Sequence, residues 1–175
     1  MAQILSLPTA RHAAAHETAL EGCFKNYYVF RTEQEFVGYF RQRSFRSQKD
    51  RPELIFYDLA KQDWLDGAEA DGNYAFLNDT PRIIISGGKS PLPPGIGQNP
   101  NVLFVLDRGE EKNPELLRNL VFAFDQAMRA GGGKVTRSSF QAVMAKRFGK
   151  HALDGQSPLK EAGRSGRKKP GLRNG

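Results

Sequence analysis

A chain of 175 residues that is 39% hydrophobic and 10% aromatic can furnish one ordinary core plus an appendage, which excludes wholesale disorder. Its single cysteine, Cys23, excludes an intramolecular disulfide, and no stretch is long and apolar enough to suggest a membrane span. The net charge of +7 is unevenly placed: from Gly131 onward eleven Lys/Arg face two acidic residues, net +9, while the first 130 residues hold 15 basic and 17 acidic side chains, net −2. Basicity is thus a property of a tail, which excludes reading the overall charge as that of a nucleic-acid-binding fold.

In chain order, Ile4-Leu5-Ser6-Leu7 is a short apolar run closed by Pro8 and predicts a buried strand. The N-terminus lacks the basic and long apolar regions of a signal peptide, so the expected setting is the reducing cytoplasm. Thr9 is placed to cap a helix over 10–23. Tyr27-Tyr28-Val29-Phe30 predicts a second strand, and Thr32 with Glu35 forms a capping box opening a helix that carries Phe36, Val37, Tyr39 and Phe40. Leu54-Ile55-Phe56-Tyr57 predicts a third strand ending on Asp58. The segment 66–78 is ambiguous, because helix formers alternate with Gly67 and Gly72.

Ile83-Ile84-Ile85 is the most β-branched run and predicts a fourth strand, closing at Ser86. The prolines of Pro91-Leu92-Pro93-Pro94-Gly95 leave a loop where a helix would be expected next. Val102-Leu103-Phe104-Val105-Leu106 predicts a fifth strand. Asn113-Pro114-Glu115 opens a helix whose stripe is Leu116, Leu117, Leu120, Val121, Phe124 and Met128, stopped by Gly131-Gly132-Gly133. Apolar strands separated by helices imply a parallel sheet covered on both faces. Residues 1–130 therefore form an α/β domain, 131–154 a glycine linker and short amphipathic helix, and 155–175 a basic extension of disordered composition.

Order and spacing over Gln3 to Ala130 resemble the response-regulator receiver family. The matching residues are the strand Leu54 to Tyr57 ending in Asp58-Leu59, the following Asp66-Gly67, and Ser86 closing the fourth strand. The resemblance implies a five-stranded doubly wound flavodoxin-like sheet, with Asp58 in the place of the phosphoryl acceptor and Ser86 in that of the residue reading its state. Three departures accompany it. No acidic pair follows the first strand, where Leu5-Ser6-Leu7-Pro8-Thr9 stands; Asp107-Arg108 replaces a Lys-Pro at the end of the fifth; and the Pro/Gly loop replaces the fourth helix. Mg²⁺ needs hard oxygen ligands, and phosphoryl transfer needs cationic stabilisation, so Arg108 is the sole substitute for the missing lysine. The expectation is a pseudo-receiver: a degenerate phosphoryl site at Asp58, Ser86 and Arg108, and non-enzymatic docking of a partner protein without phosphorylation.

Other constellations compete with this reading. Ser86-Gly87-Gly88-Lys89-Ser90 has the look of a phosphate loop, but the prolines after it forbid the helix whose N-terminus such a loop needs. His12, His16 and Cys23 share a helical face without an evident fourth zinc ligand, so neither metal nor cofactor is expected. Asp58, Asp107 and Ser86 are expected to converge at the carboxyl edge of the sheet, which leaves a small nucleotide-binding enzyme as an alternative. Ser138-Ser139 is placed to cap a helix with Phe140, Val143, Met144 and Phe148 as its apolar stripe, read either as packed on the domain or as a partner-binding face. Arg164, Arg167, Lys168, Lys169 and Arg173 form a cationic cluster without aromatics, suited to phosphate backbones rather than to sequence readout. A nucleic-acid-associated protein binding through this tail is therefore the other alternative.

Overall fold

The computed structural model describes residues 3–23, 26–87, 92–156 and 159. Five strands, β1 (Gln3–Leu7), β2 (Asn26–Val29), β3 (Leu54–Asp58), β4 (Arg82–Ser86) and β5 (Val102–Asp107), form one sheet in the order β2-β1-β3-β4-β5. Every pairing is parallel. This is the strand order of the flavodoxin-like doubly wound fold to which receivers belong. Every residue of β3 and β4 is buried, as expected for strands covered on both faces.

Side chains alternate between two cores, as the pleat requires. Ile4, Leu54, Phe56, Ile83 and Ile85 face α1 (Ala13–Glu21) and α5 (Pro114–Ala130). Leu5, Leu7, Ile55, Tyr57 and Ile84 face α2 (Glu33–Arg41) and α3 (Gln62–Glu69), where Phe36, Tyr39, Phe40 and Phe45 form an aromatic cluster.

Several local expectations hold in detail. The Thr32–Glu35 capping box is complete, and Asn113 Oδ1 accepts from the backbone N–H groups of Glu115 and Leu116 with Pro114 in the first turn. The ambiguous segment divides into α3 and a 3₁₀ stretch, Gly72–Asp79, that meets β4 through Arg82. That buried guanidinium donates to Glu69 at 2.9 Å and to the carbonyls of Thr80 and Leu77. Of the fourth helix only one turn remains, α4 (Pro94–Gly97), with a proline at its first position, where the missing N–H costs nothing.

Two expectations need correction. Thr9 does not cap the first helix, which begins with a 3₁₀ turn at Ala10–His12; its hydroxyl is used elsewhere. Helix α6 (Arg137–Phe148) is capped by Thr136, with Ser139 completing the box, not by Ser138-Ser139. Its stripe is not a free face either. Phe140 and Met144 are fully buried in the same core as Leu103, Phe104 and Leu120, and Val143 packs beside them. Only Phe148, 37% exposed, leaves substantial apolar surface at the end of the helix. The α5–α6 connection is tight: a Cβ at Gly131 would lie 2.1 Å from the Lys134 carbonyl, and Gly132 and Gly133 adopt positive φ.

Candidate functional site

The carboxyl ends of β1, β3, β4 and β5 bring together a connected set of polar side chains. Asp58 closes β3 and caps the 3₁₀ turn Leu59–Lys61 by accepting from the Ala60 N–H at 2.8 Å through Oδ1. Arg108, just past β5, donates Nη2–H to the same oxygen at 2.7 Å and Nε–H to Oδ2 at 3.0 Å. Thr9 donates its hydroxyl to Oδ2 at 2.5 Å. Each carboxylate oxygen therefore accepts two hydrogen bonds, which accounts for the roughly four lone-pair sites of a carboxylate. Arg108 reaches this position because its backbone N–H bonds to the Ser86 carbonyl at 3.1 Å and its guanidinium lies against Gly87. A Cβ there would approach Nη1 to 3.0 Å, so residue 87 has little room for a side chain.

A second carboxylate, which sequence reasoning missed, stands beside the first. Glu111 comes from the β5–α5 connection and is fully buried. Its Oε1 accepts from the Thr9 N–H at 2.8 Å and from His16 Nε2 at 3.1 Å, and its Oε2 meets His12 Nδ1 at 3.0 Å. The far nitrogen of His16, Nδ1, lies 2.6 Å from the buried Ser6 hydroxyl. An ionised Glu111 only accepts, so both imidazoles turn an N–H toward it, and the other ring nitrogen of His16 shares a hydrogen bond with the Ser6 hydroxyl. Thr9 thus links the two carboxylates, with its hydroxyl on Asp58 and its amide on Glu111.

Burial opposes ionisation of both carboxyls, but hydrogen bonds outweigh it. Bonds from Arg108, Thr9 and Ala60 hold Asp58 below the ordinary aspartate range, and bonds from His16, Thr9 and His12 do the same for Glu111. Lys61 donates to the Pro8 carbonyl at 2.6 Å and lies over the Trp64 ring. Burial lowers its pKa, against the pull of Asp58 and Glu111. The bond from Asp58 raises that of Arg108, whose side chain is 43% exposed.

The predicted site residues do not all meet. Asp58 and Arg108 are paired, and Ser86 is buried at the end of β4, joined to Arg108 through its carbonyl. Asp107, expected to converge on Asp58, is instead exposed and caps its own turn by accepting from the Gly109 N–H at 2.7 Å. His12 and His16 serve Glu111, while the Cys23 thiol bonds to the Ala19 carbonyl. Among the described residues no group of three or more His, Cys, Asp or Glu side chains is arranged to hold a metal. The phosphate-loop residues Gly88, Lys89 and Ser90 and the tail cations Arg164, Arg167, Lys168, Lys169 and Arg173 lie outside the described residues.

Mg²⁺ at Asp58, which the receiver resemblance implies, does not fit this donor set. A cation would have to displace Arg108 or Thr9, and Glu111 spends its oxygens on three N–H donors.

Neither a protein-family profile nor a curated protein sequence matches the chain. Among solved structures, a response regulator from Thermotoga maritima is similar at 14% identity and a TM-score of 0.48, over 72% of this chain and 98% of that one. The phosphorylated cyanobacterial phytochrome response regulator RcpA is similar at 15% identity and a TM-score of 0.43, over 68% and 90%. The fold assignment rests on the strand order and pairing of the chain itself.

Proposed function

We propose that this chain is a pseudo-receiver: a regulatory domain that docks a partner protein without being phosphorylated and without catalysing a reaction. The observation that carries this reading is the saturation of Asp58. A carboxylate attacks a phosphoryl group, or binds Mg²⁺, through a free lone pair. Here each oxygen of Asp58 already accepts two bonds, two of the four from Arg108. The guanidinium supplies a fixed positive charge where a receiver needs an exchangeable metal, so the site is held in one state by an internal ion pair.

Docking then uses surface that does not change with phosphorylation. Of the four stripe residues of α6, Phe148 keeps an exposed ring, and Phe122 on α5 is 48% exposed with the Arg147 guanidinium over it. These side chains are the apolar part of the proposed docking face, and the basic tail strengthens attachment to an acidic partner. A weaker second activity, binding of nucleic-acid phosphates, is proposed for the cluster Arg164, Arg167, Lys168, Lys169 and Arg173 on the strength of its composition.

The test is incubation with acetyl phosphate and Mg²⁺ followed by phosphate-affinity electrophoresis. The proposal expects no retarded band. A retarded band that disappears in Asp58→Asn would overturn it.

A further inference from the structure

Helices α2 and α3 leave a groove of about 270 Å³ between them, lined by Phe36, Val37, Phe40, Trp64, Ala68 and Tyr74. That is below the roughly 300–1,000 Å³ of small-molecule sites and suits an apolar side chain with the peptide that carries it. Val37, on the lip, keeps 36% of its surface exposed. Gly67, inside α3, also lines the groove, and a Cβ there would meet nothing within 4 Å. A glycine within a helix is unfavourable, and here it leaves the groove open.

The surroundings are acidic. Glu33 and Asp71 line the groove against one cation, Arg41. Residues 62–81 hold five acidic side chains, Asp63, Asp66, Glu69, Asp71 and Asp79, and no lysine or arginine. Glu69 is paired with Arg82. The other four are exposed, and none has a cationic partner among the described residues.

The chain delivers a complementary segment to this face. Gln156 Oε1 accepts from the Val105 N–H and Gln156 Nε2 donates to the Val105 carbonyl, both at 2.8 Å, which pins the chain at the β5 edge. Ala152 and Leu153 rest on the α1/α5 core and Leu159 on the α2/α3 core, so the chain has crossed the edge and leaves on the groove's face. The fourth helix, which would stand in the way, is the single turn Pro94–Gly97. Residues 160–175 carry six cations, Lys160, Arg164, Arg167, Lys168, Lys169 and Arg173, against Glu161 alone. Leu172 is their one large apolar side chain and lies 13 positions beyond Leu159. Extended chain of that length reaches about 45 Å, whereas β5 and β1 are only about 15 Å apart across the sheet.

We propose that residues 167–173 dock in cis in the α2/α3 groove, with Leu172 entering beside Trp64 and Gly67 and with Arg167, Lys168, Lys169 and Arg173 against the acidic surroundings. A tether this short presents the segment at an effective concentration of about millimolar, which favours the chain's own groove over that of a second copy. An acidic partner or a phosphate backbone then competes with the groove for the same cations. The contact does not depend on the state of Asp58.

The test is NMR of the full chain with labelled leucine methyls, reading NOEs from Leu172 to Trp64, the single tryptophan. At low salt Leu172 should show NOEs to Trp64 and Val37 whose relative intensity is independent of protein concentration. Raising salt to about 0.5 M, where the screening length falls to roughly 4 Å, should weaken them at least about twofold. Arg167→Gln, Lys168→Gln and Lys169→Gln together should do the same, and Leu172→Ser should move the Trp64 indole resonance to its high-salt position. Gly67→Leu, which fills the groove with a better helix former, should abolish the NOEs while the Ile84 amide stays protected. The tail variants alter no described contact and serve if Gly67→Leu does not fold. Absence of Leu172 NOEs to the groove, or NOEs that persist in Gly67→Leu or ignore salt, would overturn the proposal. So would NOEs that grow with protein concentration, the mark of a second copy's tail.

Discussion

Arg108 closes on Asp58 from the neighbouring side of the sheet edge with two nitrogens at once, Nη2 on Oδ1 at 2.7 Å and Nε on Oδ2 at 3.0 Å. This fork-on-carboxylate geometry gives direction as well as charge, and lysine could not reproduce it. Thr9 and the Ala60 amide occupy what the fork leaves.

The first prediction concerns acid. Asp58 and Glu111 both have folded-state pKa values below their ordinary 3.8 and 4.5. A depressed carboxyl pKa means the unfolded chain binds protons before the folded one does, so the stabilisation is present above the ordinary values and disappears as pH falls through the folded ones. Urea midpoints measured from neutral pH downward should hold and then drop as the solution passes below those values. In Asp58→Asn the drop should be shallower. An equal drop in both proteins would remove Asp58 from the account.

The second concerns Glu111. Glu111→Ala leaves the Thr9 amide and two imidazole N–H groups without their acceptor; the buried His16 group costs about 1–3 kcal/mol, the part-buried Thr9 and His12 groups cost less, and the sum is less than additive. Denaturant unfolding should register a loss of at least about 2 kcal/mol, whereas Glu111→Gln, which keeps an acceptor oxygen, should cost less. A loss of about 0.5 kcal/mol or less, as at ordinary surface sites, would mean Glu111 is not buried in this network.

How much of this was legible beforehand divides by the range of the interaction. Strand identity, the Thr32–Glu35 capping box and the parallel two-sided sheet follow from local pattern, because Ile83 to Ile85 and Leu54 to Tyr57 have nowhere to go but an interior. The partnership of Glu111 with His12 and His16 was not legible. The residues are 99 and 95 positions apart, and Glu111 sits in the charged run Asp107 to Lys112, which reads as a solvated turn. The spacing of His12 and His16 did carry a signal, that two imidazoles face one way, but its target was a carboxylate. The stripe Phe140–Met144 was visible as amphipathic, yet periodicity states only that a face is apolar, not what covers it. Gln156 gave no signal at all, since one glutamine pairing with a strand edge has no pattern.

The third prediction separates core from surface. Ile84, on a central strand between two helical layers, and Phe140, within the α5–α6 packing, are both fully buried. Ile84→Ala should cost about 2–5 kcal/mol and Phe140→Ala about 3–5 kcal/mol, while Phe148→Ala should stay within about 1 kcal/mol. Chemical denaturation of the three variants checks this. A mild Phe140 variant would return α6 to the status of a detachable helix. It follows that cutting the chain at Gly131 removes core, so partner capture should compare the full chain with a truncation after Leu159.

The fourth concerns the tail. Binding of non-specific duplex and single-stranded nucleic acid should be weak, indifferent to sequence and steeply salt-dependent, because counterion release is its source. Removing residues 160–175 should abolish it, which fluorescence anisotropy at low and moderate salt would measure. Tight binding that survives both the salt and the truncation would make nucleic acid the main partner and displace the docking proposal.

The central claim is that the ion pair, not merely the lack of an acidic pair after β1, keeps Asp58 from acting as a phosphoryl acceptor. Amide NMR of the wild-type chain titrated with beryllofluoride and Mg²⁺ tests it most directly. The predicted result is no saturable change at Asp58, Ser86 or Arg108, with Arg108→Ala showing a response at Asp58 or, at the least, a Mg²⁺-dependent shift there. Saturable wild-type shifts at Asp58 and Ser86 that vanish in Asp58→Asn would contradict the account and restore a phosphorylation switch.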